Sequence, residues 1–467
     1  MKNSTSSGAK VRPFGILDKI GYLCGDLAND FTFIFASTYV MVFYTKVMGI
    51  SAGMVGTMFL IARCVDAFTD IGMGRIVDRS KPTKGGRIRP WILRMCGFTA
   101  LASFLMYQSF CVNSSYGVKV AYMFITYLLW GSVFYTSVNI PYGSMASVIS
   151  AEPKHRSSLS VFRSMGGTLA GILIGVVAPM VVYTTDVDGN QVVSSKGISL
   201  IAAIFAVIAV VCYLLCYFLT VERVEYKPKP QSEQKNLAQT LGALFTSRSL
   251  MGLVLTAVLF LLASLMSSGV NAYLYADYFK NTKAMSMVSM MSLPIMIILA
   301  LCSTKLAAKF GKKECCTAGM IFSGALYLII GFLHVTNVWV YVGLIFVAQF
   351  GFYFFNMQCW ALVTDVIDDM EVKSGSRDDG TIYGIYSFSR KIGQAIAGGL
   401  SGWALSWIGY ESAATVQTTA VTNGIYGLAT FFPAAVYIAC ALALLFVYPL
   451  NKKRVDANVA ELEKRRV

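Results

Sequence analysis

Residues 52–77 read AGMVGTMFLIARCVDAFTDIGMGRIV. The stretch is longer than the ~20 mainly apolar residues an α-helix needs to cross a bilayer. It also carries Arg63, Asp66 and Asp70, and an ionisable side chain at mid-membrane costs roughly 2.5–3.5 kcal/mol on insertion scales. Charges retained at that cost call for a function or a partner. Asp66 and Asp70 are four residues apart, so both carboxylates lie on one helix face. In a low-dielectric site two such groups do not both stay ionised without a cation; one takes a proton, or both share an ion. Oxygen-only ligands suit a hard cation, and a hydroxyl such as that of Thr136 can join them.

The whole chain has the same character. Of 467 residues, 56% are hydrophobic and only 13% charged, with mean hydropathy +0.61. Soluble domains carry about a quarter of their residues as charges, so a polytopic membrane protein is implied. The 39 Lys and Arg against 24 Asp and Glu then read as topology rather than as a nucleic-acid patch. Eleven cysteines lack metal-ligand spacing, and two histidines, His155 and His334, rule out a His-ligated centre. No catalytic triad is visible, so an enzyme is not expected, nor any cofactor beyond a coupling ion. The first twelve residues are polar and show no cleavable signal pattern.

Twelve apolar runs are legible, six on each side of a polar segment, Glu222 to Arg248, that contains Lys227-Pro228-Lys229-Pro230. The expected organisation is an N-terminal six-helix bundle (1–220), a linker (221–248), a C-terminal six-helix bundle (249–450) and a tail (451–467). With the N-terminus inside, outward loops hold only Lys46, Lys119, Lys196, Lys280 and Lys283, while Arg75, Arg79, Lys81, Lys84, Arg87 and Arg89 crowd the first inner loop. That asymmetry predicts cytoplasmic termini and an inner-membrane location. The charged run from Asp368 to Asp379 reads as a connector between the tenth and eleventh spans, and the basic C-terminus as a lipid-facing tail.

An internal repeat supports two parallel halves. The fifth span opens Arg163-Ser-Met-Gly166-Gly-Thr-Leu-Ala170-Gly171, and the eleventh opens Arg390-Lys-Ile-Gly393-Gln-Ala-Ile-Ala397-Gly398. Such repeats place a site between the halves near the membrane midplane. The first span adds Asp26 and Asp30, and Arg63, Arg163, Arg390 and Lys391 supply cations able to form ion pairs or gates. Aromatic residues crowd the fourth and tenth spans, and sugars stack on such rings while their hydroxyls meet carboxylates and amides.

Several motifs, in order, carry a resemblance: Gly25-Asp26 with Asn29-Asp30, Tyr44-Thr45, Arg63 to Asp70 followed by Gly74-Arg75-Ile-Val-Asp78, Arg89-Pro-Trp91, Asn139-Ile-Pro-Tyr142-Gly-Ser144, and Ser389-Arg390-Lys391-Ile-Gly393-Gln394. Together they resemble the glycoside–pentoside–hexuronide cation symporters, a branch of the major facilitator superfamily. The resemblance implies an all-α fold of twelve transmembrane helices in two pseudo-symmetric bundles, working as a monomer to carry a sugar with Na⁺ or H⁺. It assigns Asp66, Asp70 and Thr136 to the cation, which they would ligate directly if it is Na⁺. It assigns Asp30, Asn139, Arg163, Phe355 and Lys391 to the sugar, and Arg63, Asp26 and Arg390 to the surrounding charge network.

Two departures bear on the cargo. The chain has Asn139 and Gly143 where α-galactoside carriers of the family place an aspartate and a tryptophan, and Lys46 where a Tyr-Thr-Asp motif is common. Asn139 would tolerate an acidic sugar, which Arg163 could face bidentately; Asp30 would repel one. Lysophospholipid transport on the same scaffold is the alternative cargo.

Overall fold

The computed structural model describes residues 12–83, 85–150, 152–187, 190–224, 247–375, 379–412, 414 and 416–466. These form twelve long helices and a shorter thirteenth. The first six are α1 (Ile16–Val47), α2 (Ala52–Arg79), α3 (Arg89–Leu105), α4 (Tyr116–Ile149), α5 (Pro153–Val182) and α6 (Ser195–Leu219). The second six are α7 (Arg248–Tyr278), α8 (Lys283–Phe310), α9 (Lys312–Leu333), α10 (Val338–Ser374), α11 (Asp379–Trp407) and α12 (Thr419–Val447), followed by α13 (Lys452–Arg466). Ten of these are long and apolar enough to cross a membrane. The other two long helices are α3, of 17 residues, and α11, whose apolar positions are interrupted by Ser389, Arg390, Lys391, Gln394 and glycines. A two-stranded hairpin, Tyr183–Thr185 against Gln191–Val193, is the departure from all-α structure among the described residues.

The helices pack as two related sets. In the first, α1 lies against α5 and α6, and α3 against α6; in the second, α7 lies against α11 and α12, and α9 against α12. The repeated glycines explain the match. A side chain at Gly166 would strike the α1 backbone at Leu23, and one at Gly393 would press on the α7 backbone at Val258. Small residues that let backbones touch are the usual means of joining helices in lipid.

The face that carries both termini is braced within each half. Glu222 accepts from the backbone N–H groups of Arg87 (2.9 Å), Ile88 (2.9 Å) and Arg89 (2.7 Å), an anion on the orphan donors of the α3 N-terminus. Gly86, at φ +106°, makes the turn that presents them, and any side chain there would collide with Glu222. Asp18 is fully buried and bonds to Arg223 at 2.9 Å. On the second half Asp369, 1% exposed, accepts from Ser249 (2.6 Å), Lys373 (2.6 Å), Arg454 (3.2 Å) and Asn458 (3.3 Å).

Two expectations change here. The run from Asp368 is not all connector: α10 continues to Ser374, because Asp365 meets Lys312 and Asp369 meets Lys373, so its charges are paired on the helix surface. Arg377 and Asp378 lie outside the described residues. The C-terminal tail is a helix clasped to the second half through Asp369 and through Glu314, which accepts from the Lys452 N–H at 3.1 Å. Residues 225–246 of the linker also lie outside the described residues.

Candidate cation and substrate site

The hydrogen bonds that join the halves cluster toward the face opposite the termini. Lys46 Nζ meets Asp277 Oδ1 at 2.7 Å, with the Tyr410 hydroxyl 3.4 Å from the other carboxylate oxygen. Thr45 bonds Tyr273 at 2.8 Å and Thr38 bonds Ser268 at 3.0 Å. Beside them α2 and α11 touch backbone to backbone. A Cβ on Gly56 would sit 2.7 Å from the Gly399 carbonyl oxygen.

Deeper along α2 lies the carboxylate pair. Asp66, 8% exposed, accepts from Arg63 at 3.0 Å and from the Ser132 hydroxyl at 2.5 Å. Asp70 accepts from the Thr136 hydroxyl at 3.0 Å and is ion-paired with Lys391 of α11, in the other half. Carboxylates one turn apart on α2 thus face hydroxyls one turn apart on α4. The α4 backbone widens into a π-helical segment over Leu129–Tyr135, directly before Thr136; such insertions are frequent at functional sites. Two carboxylates and two hydroxyls form an all-oxygen donor set suited to a hard monovalent cation. In this conformation the charges of the set are balanced by Arg63 and Lys391.

The acidic residues of α1 have the same spacing and different neighbours. Asp26 is ion-paired with Arg163 of α5 at 2.9 Å, and the guanidinium also lies over the Tyr142 ring, 5.3 Å from its centroid. Asp30 lies within electrostatic reach of Asp26, Arg163 and Arg390. Its carboxylate abuts Gly167, where a Cβ would be 2.5 Å away.

Beyond Gly167 two chambers of about 390 Å³ and about 230 Å³ lie between the halves, and both are lined by Ile34, Gly171, Ser264, Ser289 and Tyr353. Small-ligand sites occupy roughly 300–1,000 Å³, so the pair is large enough for one. Of the residues expected at a sugar, none is among those lining the chambers. Asp30 stands behind Gly167, Arg163 is on Asp26 and Lys391 on Asp70. Phe355, 1% exposed, is packed against Phe260 at 5.0 Å, and its neighbour Phe352 reaches the chamber instead. Asn139 is half-buried on α4, away from the lining. Arg390 lies over the Trp360 ring at 5.7 Å.

Sequence reasoning missed Ser132, Asp277 and the lining Ser264, Asn271, Gln349 and Asn356. Ser132 was findable, since it precedes Thr136 by the same four residues that separate Asp66 from Asp70. Isolated polar residues in apolar helices gave no comparable signal.

Twelve helices in two related sets, with acidic residues and a polar cavity between them, define a transporter of the major facilitator type. The chain matches the MFS/sugar transport protein family over residues 21–452, and it belongs to that family, in the glycoside–pentoside–hexuronide cation symporter branch. It is 31% identical to the putative glycoside/cation symporter YagG of Escherichia coli, over 96% of this chain and 95% of that one. It is 30% identical to the putative sulfoquinovose importer of Escherichia coli, over 96% and 94%. The inward-open xylose transporter XylE of E. coli shares the fold, with TM-score 0.60 at 14% identity, covering 94% of this chain and 98% of that one.

Proposed function

We propose that this protein is a cation-coupled sugar symporter that works by alternating access. The observation that carries the reading is the Asp66/Asp70 pair facing Ser132 and Thr136, with its balancing charge on Asp70 supplied by Lys391 from the other half. A cation arriving at Asp70 competes with Lys391, so occupancy of the site is tied to how the halves sit. Na⁺ would be held by the carboxylate and hydroxyl oxygens; H⁺ would neutralise a carboxylate. Either releases Lys391 from a full ion pair, and the sugar in the adjacent chambers binds the conformation so selected. By linkage, sugar tightens the cation by the factor by which the cation tightens sugar.

The charge asymmetry supports cytoplasmic termini, in which case the closed face is outward, the site opens inward, and the protein is a monomer of two moving units, 1–220 and 249–450. Hydroxyls and amides in the chamber walls suit a sugar better than the acyl chain of a lysophospholipid. The test is a transient-current measurement on proteoliposomes, adding a xyloside, a β-glucoside, an α-galactoside and a β-glucuronide with and without Na⁺. Current with one sugar class supports electrogenic symport, and its loss without Na⁺ selects that ion. Silence from folded protein across the panel counts against a sugar cargo.

A further inference from the structure

The chambers between the halves carry a chemical preference that goes beyond sugar transport as such. Their walls come from α1, α5, α7, α8, α9, α10 and α12 and contain hydroxyl, amide and aromatic groups; among the described residues that line them, none is charged. Three polar atoms in the wall of the smaller chamber are buried without a hydrogen-bond partner among the described residues: the Tyr39 hydroxyl, the Ser267 hydroxyl and the Gln349 carbonyl oxygen. Tyr39 is 0% exposed. A buried polar atom left unpaired costs about 1–3 kcal/mol, so three around one cavity mark places where a ligand supplies the missing partners. Two hydroxyls and an amide oxygen are matched by a ligand that both donates and accepts at several positions.

The charges nearby are the second observation. Arg163, the cation that could meet an acidic sugar, is held on Asp26, and Lys391 is held on Asp70. The Asp30 carboxylate stands behind Gly167, outside the lining and within electrostatic reach of Arg163 and Arg390. An anionic ligand would meet no uncommitted cation in the lining.

We infer that this cavity selects uncharged polyhydroxylated ligands, with Tyr39, Ser267 and Gln349 as direct contacts, and discriminates against hexuronates and sulfonated sugars. The inference rests on the sugar-transport reading and narrows it. Tyr39 and Gln349 are specificity residues on this view, and neither was marked by any sequence motif.

Calorimetry on the full chain in lipid nanodiscs, in buffered NaCl, tests it with the neutral methyl β-xyloside, methyl β-glucoside and methyl α-galactoside against methyl β-glucuronide and sulfoquinovose. The glucoside and glucuronide differ only at C6, hydroxymethyl against carboxylate. At least one neutral glycoside is expected to bind at least tenfold tighter than either anion. An anion that binds as tightly as the best neutral ligand overturns the inference and leaves sugar transport standing; no binding by any sugar overturns both. Tyr39→Phe provides the site-level check, because the hydroxyl it removes has no hydrogen-bond partner among the described residues. It is expected to lower neutral-glycoside affinity about tenfold while the melting temperature holds. Unchanged affinity would remove the cavity as the site.

Discussion

Among the described residues two ion pairs join the halves at different depths, and they are built for different work. Lys46–Asp277 lies at the face opposite the termini, with side chains 12% and 5% exposed, flanked by the Tyr410 hydroxyl and ring and by the Thr45–Tyr273 bond. Every group there is satisfied by another protein group. Lys391–Asp70 lies deeper, with side chains 41% and 15% exposed, and a second carboxylate and two hydroxyls lie within a turn. It is the more exposed of the two, and its carboxylate has other oxygens nearby to share a ligand with. The first pair is built as a lock; on the proposed mechanism the second is where a cation competes with an ammonium for one carboxylate. Burial and the surplus of oxygen donors separate them.

The contrast is broken most severely at the contested carboxylates. Asp66→Asn or Asp70→Asn is expected to abolish cation-dependent accumulation, measured as uptake into proteoliposomes under an imposed Na⁺ or H⁺ gradient. Undiminished accumulation in both variants would reduce the pair to a structural lock like the first.

The next largest effect belongs to the lock itself. Removing one partner of a buried ion pair costs about 3–5 kcal/mol, because the other charge is left uncompensated. Lys46→Ala or Asp277→Ala should therefore shift the protein away from this conformation. Labelling of a Ser268→Cys reporter by an impermeant maleimide, added from the side away from the termini, should accelerate. The exchanged pair, Lys46→Asp with Asp277→Lys, should restore slow labelling; fast labelling in the exchange variant would mean that packing by Tyr410 and Gly56, not charge, closes this face.

How much of this was legible in the sequence follows from what each feature depends on. The spans are read from apolar length, a local property, and the halves from glycines that recur at one helix position in each. The α10 extension to Ser374 was missed because Asp365 and Asp369 look like loop charges until Lys312, Ser249 and Arg454 are seen against them. Asp66 and Asp70 were legible as a pair because their spacing fixes one helix face; Thr136 was named by the resemblance, and its hydroxyl lies 3.0 Å from Asp70. Lys46 was visible as a departure from a motif, yet its partner is 231 residues away, and only tertiary packing pairs them. The chamber lining was hidden for the same reason: a serine inside an apolar helix bonds its own backbone as readily as it faces a ligand.

A smaller effect sharpens the second pair. Lys391→Gln removes the competing ammonium and leaves the Asp70 oxygens available. Cation affinity, followed by titration of intrinsic fluorescence, should tighten about tenfold, worth 1.4 kcal/mol, while the uptake rate falls because cation binding no longer moves a charge of the other half. Weaker cation binding in this variant would show that Lys391 orders the site rather than competes for it.

The smallest effect carries the most specific information, because its presence depends on the ion. Ser132 donates to Asp66 at 2.5 Å. Replacing it with alanine leaves Arg63 in place, so the change is about 1 kcal/mol, roughly fivefold in an equilibrium constant. If the coupling ion is Na⁺, the serine oxygen is a ligand, and Ser132→Ala should raise the Na⁺ concentration needed for half-maximal sugar binding. If the ion is H⁺, sugar binding should be indifferent to Na⁺ in the variant as in the parent. The substitution thus separates the two ions, through a hydroxyl whose place opposite Asp66 mirrors that of Thr136 opposite Asp70. An unmoved Na⁺ dependence in a protein that requires Na⁺ would show that the Ser132 hydroxyl contributes packing alone, and that the cation contacts of the second pair are confined to Asp70 and Thr136.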